Sequence, residues 1–114
     1  MKTLKFKAWH KKNKELLFGT AGKDGGLVFV RPNEMYEDER TEIGYRNPEL
    51  IILQYTGVND KDGREIYEGD IVNAGDDKTS EVIYNIKKAS FEPLNNLDQS
   101  KIKIIDSKYK LKLS

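Results

Sequence analysis

The sequence predicts a mainly β protein, and three observations carry that expectation. Apolar residues alternate with lysines at Leu4, Phe6 and Ala8, the period of two that a half-buried strand requires. Short runs rich in β-branched and aromatic residues, such as LVFV at 27–30 and LIILQY at 50–55, recur between turn-forming residues. No segment offers more than one or two turns of helix.

Taken in order, the first strand ends at Trp9, and HKKNKE at 10–15 is a polar turn. LLF at 16–18 resumes a strand, and the glycine-rich GTAGKDGG at 19–26 forms a hairpin tip. LVFV follows and is stopped by Pro32. These N-terminal strands occupy residues 1–30, and a variable insert spans 31–48. In the insert Asn33 suits a helix N-cap, with Glu34 in the first turn and Gly44 as a stop, whereas the scarcity of apolar anchors suits a loop equally. The part from 49 to 114 reads as a small barrel of the Src-homology-3 type, with strands in LIILQYTG, EIY, DIVNA, EVIYNI and KIKII. Seven or eight strands are expected in one domain, 1–114. A loop with a single helical turn follows Pro93. The lysine-rich end is either an edge strand protected from unwanted pairing or an arm that docks on a neighbour.

Composition removes several function classes. There is no cysteine, which excludes disulfides, a thiol nucleophile and Cys-based metal sites. The single histidine, His10, cannot supply the His pairs of common catalytic zinc sites. The longest aliphatic run is four residues, LIIL, far below the roughly 20 needed to cross a bilayer. A soluble protein of the cytoplasm, without a membrane partner, is the expectation. The net charge of +1 conceals an asymmetry. Residues 1–14 carry lysines without an acid, residues 101–114 are also lysine-rich, and the acids concentrate at 34–42 and 59–81.

The densest stretch of potential chemistry is QYTGVNDKDGREIYEGDIV at 54–72. With Gly63 at the sixth position of an EF-hand loop, Val58 and Gly69 fall where the first and last calcium ligands belong, so that pattern fails. A structural turn explains the acids better. Asp62-Gly63 is the pair a tight hairpin wants, Asn59 and Asp60 suit capping of the turn, and Gly69 with Asp70 suits a bulge that re-enters the core. GKDGG at 22–26 lacks the spacing and the hydroxyl of a phosphate loop. His10, flanked by lysines and without an evident orienting partner, is expected to face solvent. Trp9 reads as packing first and as a base-stacking platform second.

Two stretches, LKFKAWHKKNKELL and LQYTGVNDKDGREIYEGDIV, resemble the YopX family, small proteins encoded by bacteriophages and prophages. The second stretch follows the family pattern of Gln-Tyr-Thr-Gly, an Asp-Xaa-Xaa-Gly turn and Glu-Gly-Asp-Ile-Val nearly throughout. The first keeps Phe6, Ala8 and Trp9 but has Lys7 and His10 where the pattern has Arg and Asp, so an ion pair between those two positions is not carried over. FEPLNNL resembles the C-terminal half of the family, and IIDSKYKLKLS departs from its usual ending. The resemblance implies a β-rich fold with a small barrel, a phage or lysogenic bacterial setting and a homo-oligomer, with no established enzymatic activity.

The functional expectation is a non-enzymatic accessory protein, without a cofactor, that binds itself and a host or phage protein. The alternative is a nucleic-acid-binding barrel that uses its lysine-rich ends. Candidate contacts for either partner are Lys5, Lys7, Trp9, His10, Lys11 and Lys12, while Asp62, Gly63, Gly69 and Asp70 form the structural turn motif. A divalent-metal-dependent enzyme built on the acids between Asp60 and Asp70 ranks last.

Overall fold

Alternating and β-branched runs become short antiparallel strands. The computed structural model describes residues 5–75 and 78–111, and these are mostly β. They divide into two compact units, 5–53 and 54–111, with the division falling inside one long strand.

The first unit holds β1 (Phe6–His10), β2 (Glu15–Ala21), β3 (Leu27–Val30) and β4 (Ile43–Gly44) in the order β4-β3-β2-β1. The first half of β5 (Leu50–Asn59) follows beside β1. Lys7 pairs with Phe18 and His10 with Glu15 across the first hairpin. This register puts Ala8, Leu17 and Phe29 into one core, with Phe6, Leu27, Ile43, Leu50 and Ile52 packed against it. Alternation along β1 thus puts Phe6 and Ala8 on the core face and Lys7 on the other, where Trp9 is also buried.

In the 31–48 segment, Pro32–Glu34 makes a single 3-10 turn and no α-helix follows. Its acids serve arginines instead of a helix. Glu34 Oε2 accepts from Arg31 at 3.2 Å and its Oε1 from the Thr41 N–H at 3.1 Å. Arg40 donates to Glu42 at 3.0 Å, to the Ala21 carbonyl at 2.8 Å and to the Met35 carbonyl. One guanidinium therefore spends its fixed fork of donors tying the segment to the end of β2.

The second unit continues β5 and adds β6 (Glu65–Tyr67), β7 (Asp70–Asn73), β8 (Thr79–Glu81), β9 (Ile83–Asn85), β10 (Ser90–Glu92), β11 (Lys103–Ser107) and a one-turn helix α1 (Lys108–Leu111). Among the described residues they form three ladders: β5 with β6, β11-β7-β8, and β9 with β10. The core is Ile66, Val72, Val82, Leu94 and Ile102, bordered by Val58, Phe91, Leu97 and Ile104.

The single strand expected over EVIYNI is two strands. Val82 is buried at the break, where its N–H donates to the Asp70 carbonyl at 2.9 Å. β8 before it pairs with β7, and β9 after it pairs with β10. The alternating end of the chain is an edge strand paired with β7 of its own unit, with a register shift between Ile104 and Asp106 that leaves Ile105 half exposed. Among the described residues no helix is long and apolar enough to cross a membrane.

Candidate functional site

The acidic stretch after β5 folds around Asp60, whose side chain is completely buried. The Gly63 N–H donates to the Asp60 carbonyl at 3.0 Å, and Gly63 takes a φ of +84°, the left-handed conformation that favours glycine. Oδ1 of Asp60 accepts from the N–H groups of Asp62 and Arg64, both at 2.9 Å. Oδ2 accepts from Arg64 Nε at 3.1 Å and from the Ile104 N–H at 3.2 Å. Arg64 Nη2 in turn donates to the Ile104 carbonyl at 3.0 Å. Lys61 N–H donates to the Ile102 carbonyl at 2.8 Å, and Gln99 Nε2 to the Asn59 carbonyl at 3.1 Å.

Burial alone would push the Asp60 carboxyl up. The N–H bonds of Arg64, Ile104 and Asp62, with the Arg64 charge, outweigh burial and hold it below the ordinary aspartate value. Each carboxylate oxygen already accepts two bonds, so Asp60 clamps the turn onto β11 and has no lone pair left for a cation.

The second acidic group is also turned into backbone geometry. Asp70 Oδ2 accepts from the Tyr67 N–H at 2.8 Å, and Gly69 at φ +82° donates to the Val82 carbonyl at 2.9 Å. The Lys108 N–H closes the same corner on the Gly69 carbonyl at 2.8 Å. Glu68 Oε1 accepts from the Gln54 N–H at 3.0 Å. Tyr67 packs its ring 5.5 Å from that of Tyr55 and donates its hydroxyl to Glu65 at 3.3 Å. Burial first, and then the Glu65 charge, raise the Tyr67 phenol above its ordinary value. Among the described residues no group of three acidic or histidine side chains is arranged to hold a metal.

The N-terminal candidates separate by burial. Lys5, Lys11 and Lys12 are exposed, and Lys7 is half-buried with its ammonium 5.0 Å above the Phe18 ring. Trp9 and His10 are both buried, at 7% exposure. His10 therefore does not face solvent. Its Nδ1 accepts from the Asn13 N–H at 3.1 Å and its carbonyl from the Lys14 N–H at 2.8 Å, so the ring is part of the β1–β2 turn. The geometry brings Lys11 and Lys12 together on one turn and leaves Trp9 no open face for a base.

Sequence reasoning missed the β9–β10 hairpin as a surface. Ile83, Tyr84 and Ile86 are 49%, 44% and 85% exposed. Phe91, packed against the core, meets Tyr84 edge-on at 4.9 Å and roots the hairpin. Its tip is set by Asn85, whose Oδ1 accepts from the Lys88 N–H at 3.2 Å, and by Ala89 at a φ of +50°. The adjacent pair Ile83-Tyr84 was the available signal, since apolar residues on successive positions of a strand cannot both face one core.

The fold is similar to that of protein EF1440 from Enterococcus faecalis over the whole of both chains, with 21% identity and a TM-score of 0.59. It is also similar to protein yopX from Bacillus subtilis, over 96% of this chain and 95% of that one, with 14% identity and a TM-score of 0.50. No curated protein matches the chain. The YopX protein family matches residues 5–110, nearly the full length and both stretches that carry the sequence resemblance, and the chain belongs to that family.

Proposed function

We propose that this protein is a non-enzymatic accessory factor of phage or prophage origin that works by binding proteins, itself and a host or phage partner, in the bacterial cytoplasm. The observation that carries this reading is the β9–β10 hairpin, which exposes Ile83 and Tyr84 on a two-stranded ladder and Ile86 in its turn. Such a hairpin is marginal alone and gains by docking, and clustered exposed apolar side chains mark interaction surfaces. The acids of the central stretch support the same reading, because Asp60, Glu68 and Asp70 are spent on backbone N–H groups.

Tagged purification from a bacterial host, with mass spectrometry of the eluted peak, tests the reading. A co-purifying protein present in stoichiometric amount and lost from the Ile83→Ser/Ile86→Ser variant is the expected result. Recovery of the same proteins from that variant would count against the hairpin as the binding surface.

A nucleic-acid reading keeps one supporting observation, the exposed Lys11 and Lys12 on the β1–β2 turn. It predicts affinity that falls steeply with salt and is lost in Lys11→Glu/Lys12→Glu. Binding unchanged by that substitution would remove it.

A further inference from the structure

The 31–48 segment pairs only some of its charges. Glu34 and Glu42 are bound to Arg31 and Arg40. Glu37, Asp38 and Glu39 are exposed, and among the described residues their side chains make no ion pair. They follow Tyr36, which at 95% is the most exposed of the large hydrophobic side chains described. Tyr36 and the three acids thus present an aromatic ring and a run of like charge together to solvent.

The tip of the β9–β10 hairpin presents the complement. Ile86 is 85% exposed and is followed by the exposed Lys87 and Lys88. Lys88 reaches Glu92 at 3.4 Å, an exposed pair of little energetic weight. Each surface thus consists of one exposed apolar side chain followed directly by charges, acidic in one case and basic in the other. Apolar contact in the middle with opposite charges at the rim is the pattern that gives protein interfaces both affinity and register.

We infer that the hairpin tip of one copy docks on the Tyr36–Glu39 segment of a second copy, with Ile86 against Tyr36 and Lys87 and Lys88 against the three acids. This assigns a partner to the surface named above, and so rests on the reading that the hairpin docks protein. The two surfaces differ, so the contact is made either twice, in a reciprocal twofold dimer, or head-to-tail, in a ring or an open chain. It is small and rim-charged, so it weakens with salt.

Two charge-reversed variants test it: Lys87→Glu/Lys88→Glu, and Glu37→Lys/Asp38→Lys/Glu39→Lys. Sedimentation velocity of the full chain, from micromolar to about 0.5 mM, reads association at low and high salt. The wild type is expected to associate at low salt, and each variant alone at least tenfold more weakly. An equimolar mixture of the two should associate again, because each reversed surface then finds its opposite. Circular dichroism melting of each variant separates lost contact from lost fold. A wild type that stays monomeric throughout, variants that associate like the wild type, or a mixture that fails to recover would each overturn the contact. A partner that still co-purifies with the acidic-segment variant leaves the host-binding function standing when this contact fails.

Discussion

Asp60 concentrates more of the structure in one side chain than any other acid described. Replacing it by alanine strands the N–H groups of Asp62, Arg64 and Ile104 and leaves the Arg64 guanidinium without its carboxylate. The expected cost is about 3 kcal/mol by urea unfolding, from backbone N–H groups that lose a buried charged acceptor. Asp60→Asn keeps an acceptor and should cost about 2 kcal/mol. The carboxyl sits below its ordinary value in the folded state, so it binds protons more weakly there than in the unfolded chain. Its contribution is therefore complete above the unfolded value of about 4 and is lost as pH falls through the folded value. Unfolding free energy measured between pH 7 and pH 2 should fall less steeply at the acid end for Asp60→Asn than for the wild type. Equal slopes would show that other carboxylates dominate acid unfolding.

Among the elements, Gly63 and Gly69, two of the three left-handed glycines of the central stretch, differ in what surrounds them. A Cβ on Gly63 would meet nothing within 4 Å, so Gly63→Ala should cost only the left-handed conformation, about 1 kcal/mol. A Cβ on Gly69 would lie 3.0 Å from the Tyr109 ring, which α1 sets over this corner. Gly69→Ala should therefore cost about 1 kcal/mol more than Gly63→Ala in the same unfolding experiment. Equal costs would mean that α1 yields freely at its contact with Gly69. The hairpin of β9 and β10 exposes Ile83, Tyr84 and Ile86, the Arg40-tied segment exposes Tyr36, and the protein-binding proposals fall on these two elements.

At the scale of the whole molecule, what was legible in the sequence was local. Alternation along β1, the β-branched run of β3 and the Asp62-Gly63 turn lie within a few residues of their own causes. Membership of the YopX family was legible for the same reason, since its motifs are continuous stretches. What escaped depends on distant partners. Arg40 anchors to Ala21, nineteen residues earlier, and a segment that reads equally as helix or loop is settled by that arginine. Lysine neighbours suggested an exposed His10, whereas its burial follows from a bond to Asn13 and from the sheet around it. Asp60 was read as a turn cap, and its bonds to the Asp62 and Arg64 N–H groups bear that out, but its further bond to Ile104 is one that sequence spacing does not announce. The hairpin was hidden because Val82 divides one apparent strand into two with different partners.

The bond from Ile104 to Asp60 closes a loop of 44 residues. Loop closure of that length must be met before the clamp returns any free energy, so these bonds form late, after the local hairpins. An interaction absent from the folding transition state acts on the rate of unfolding. Stopped-flow kinetics of Asp60→Asn should show unfolding faster by about tenfold and folding slower by less than about threefold. A single buried carboxylate then sets how long the second unit stays folded once formed, a form of endurance against proteases that equilibrium stability alone does not describe.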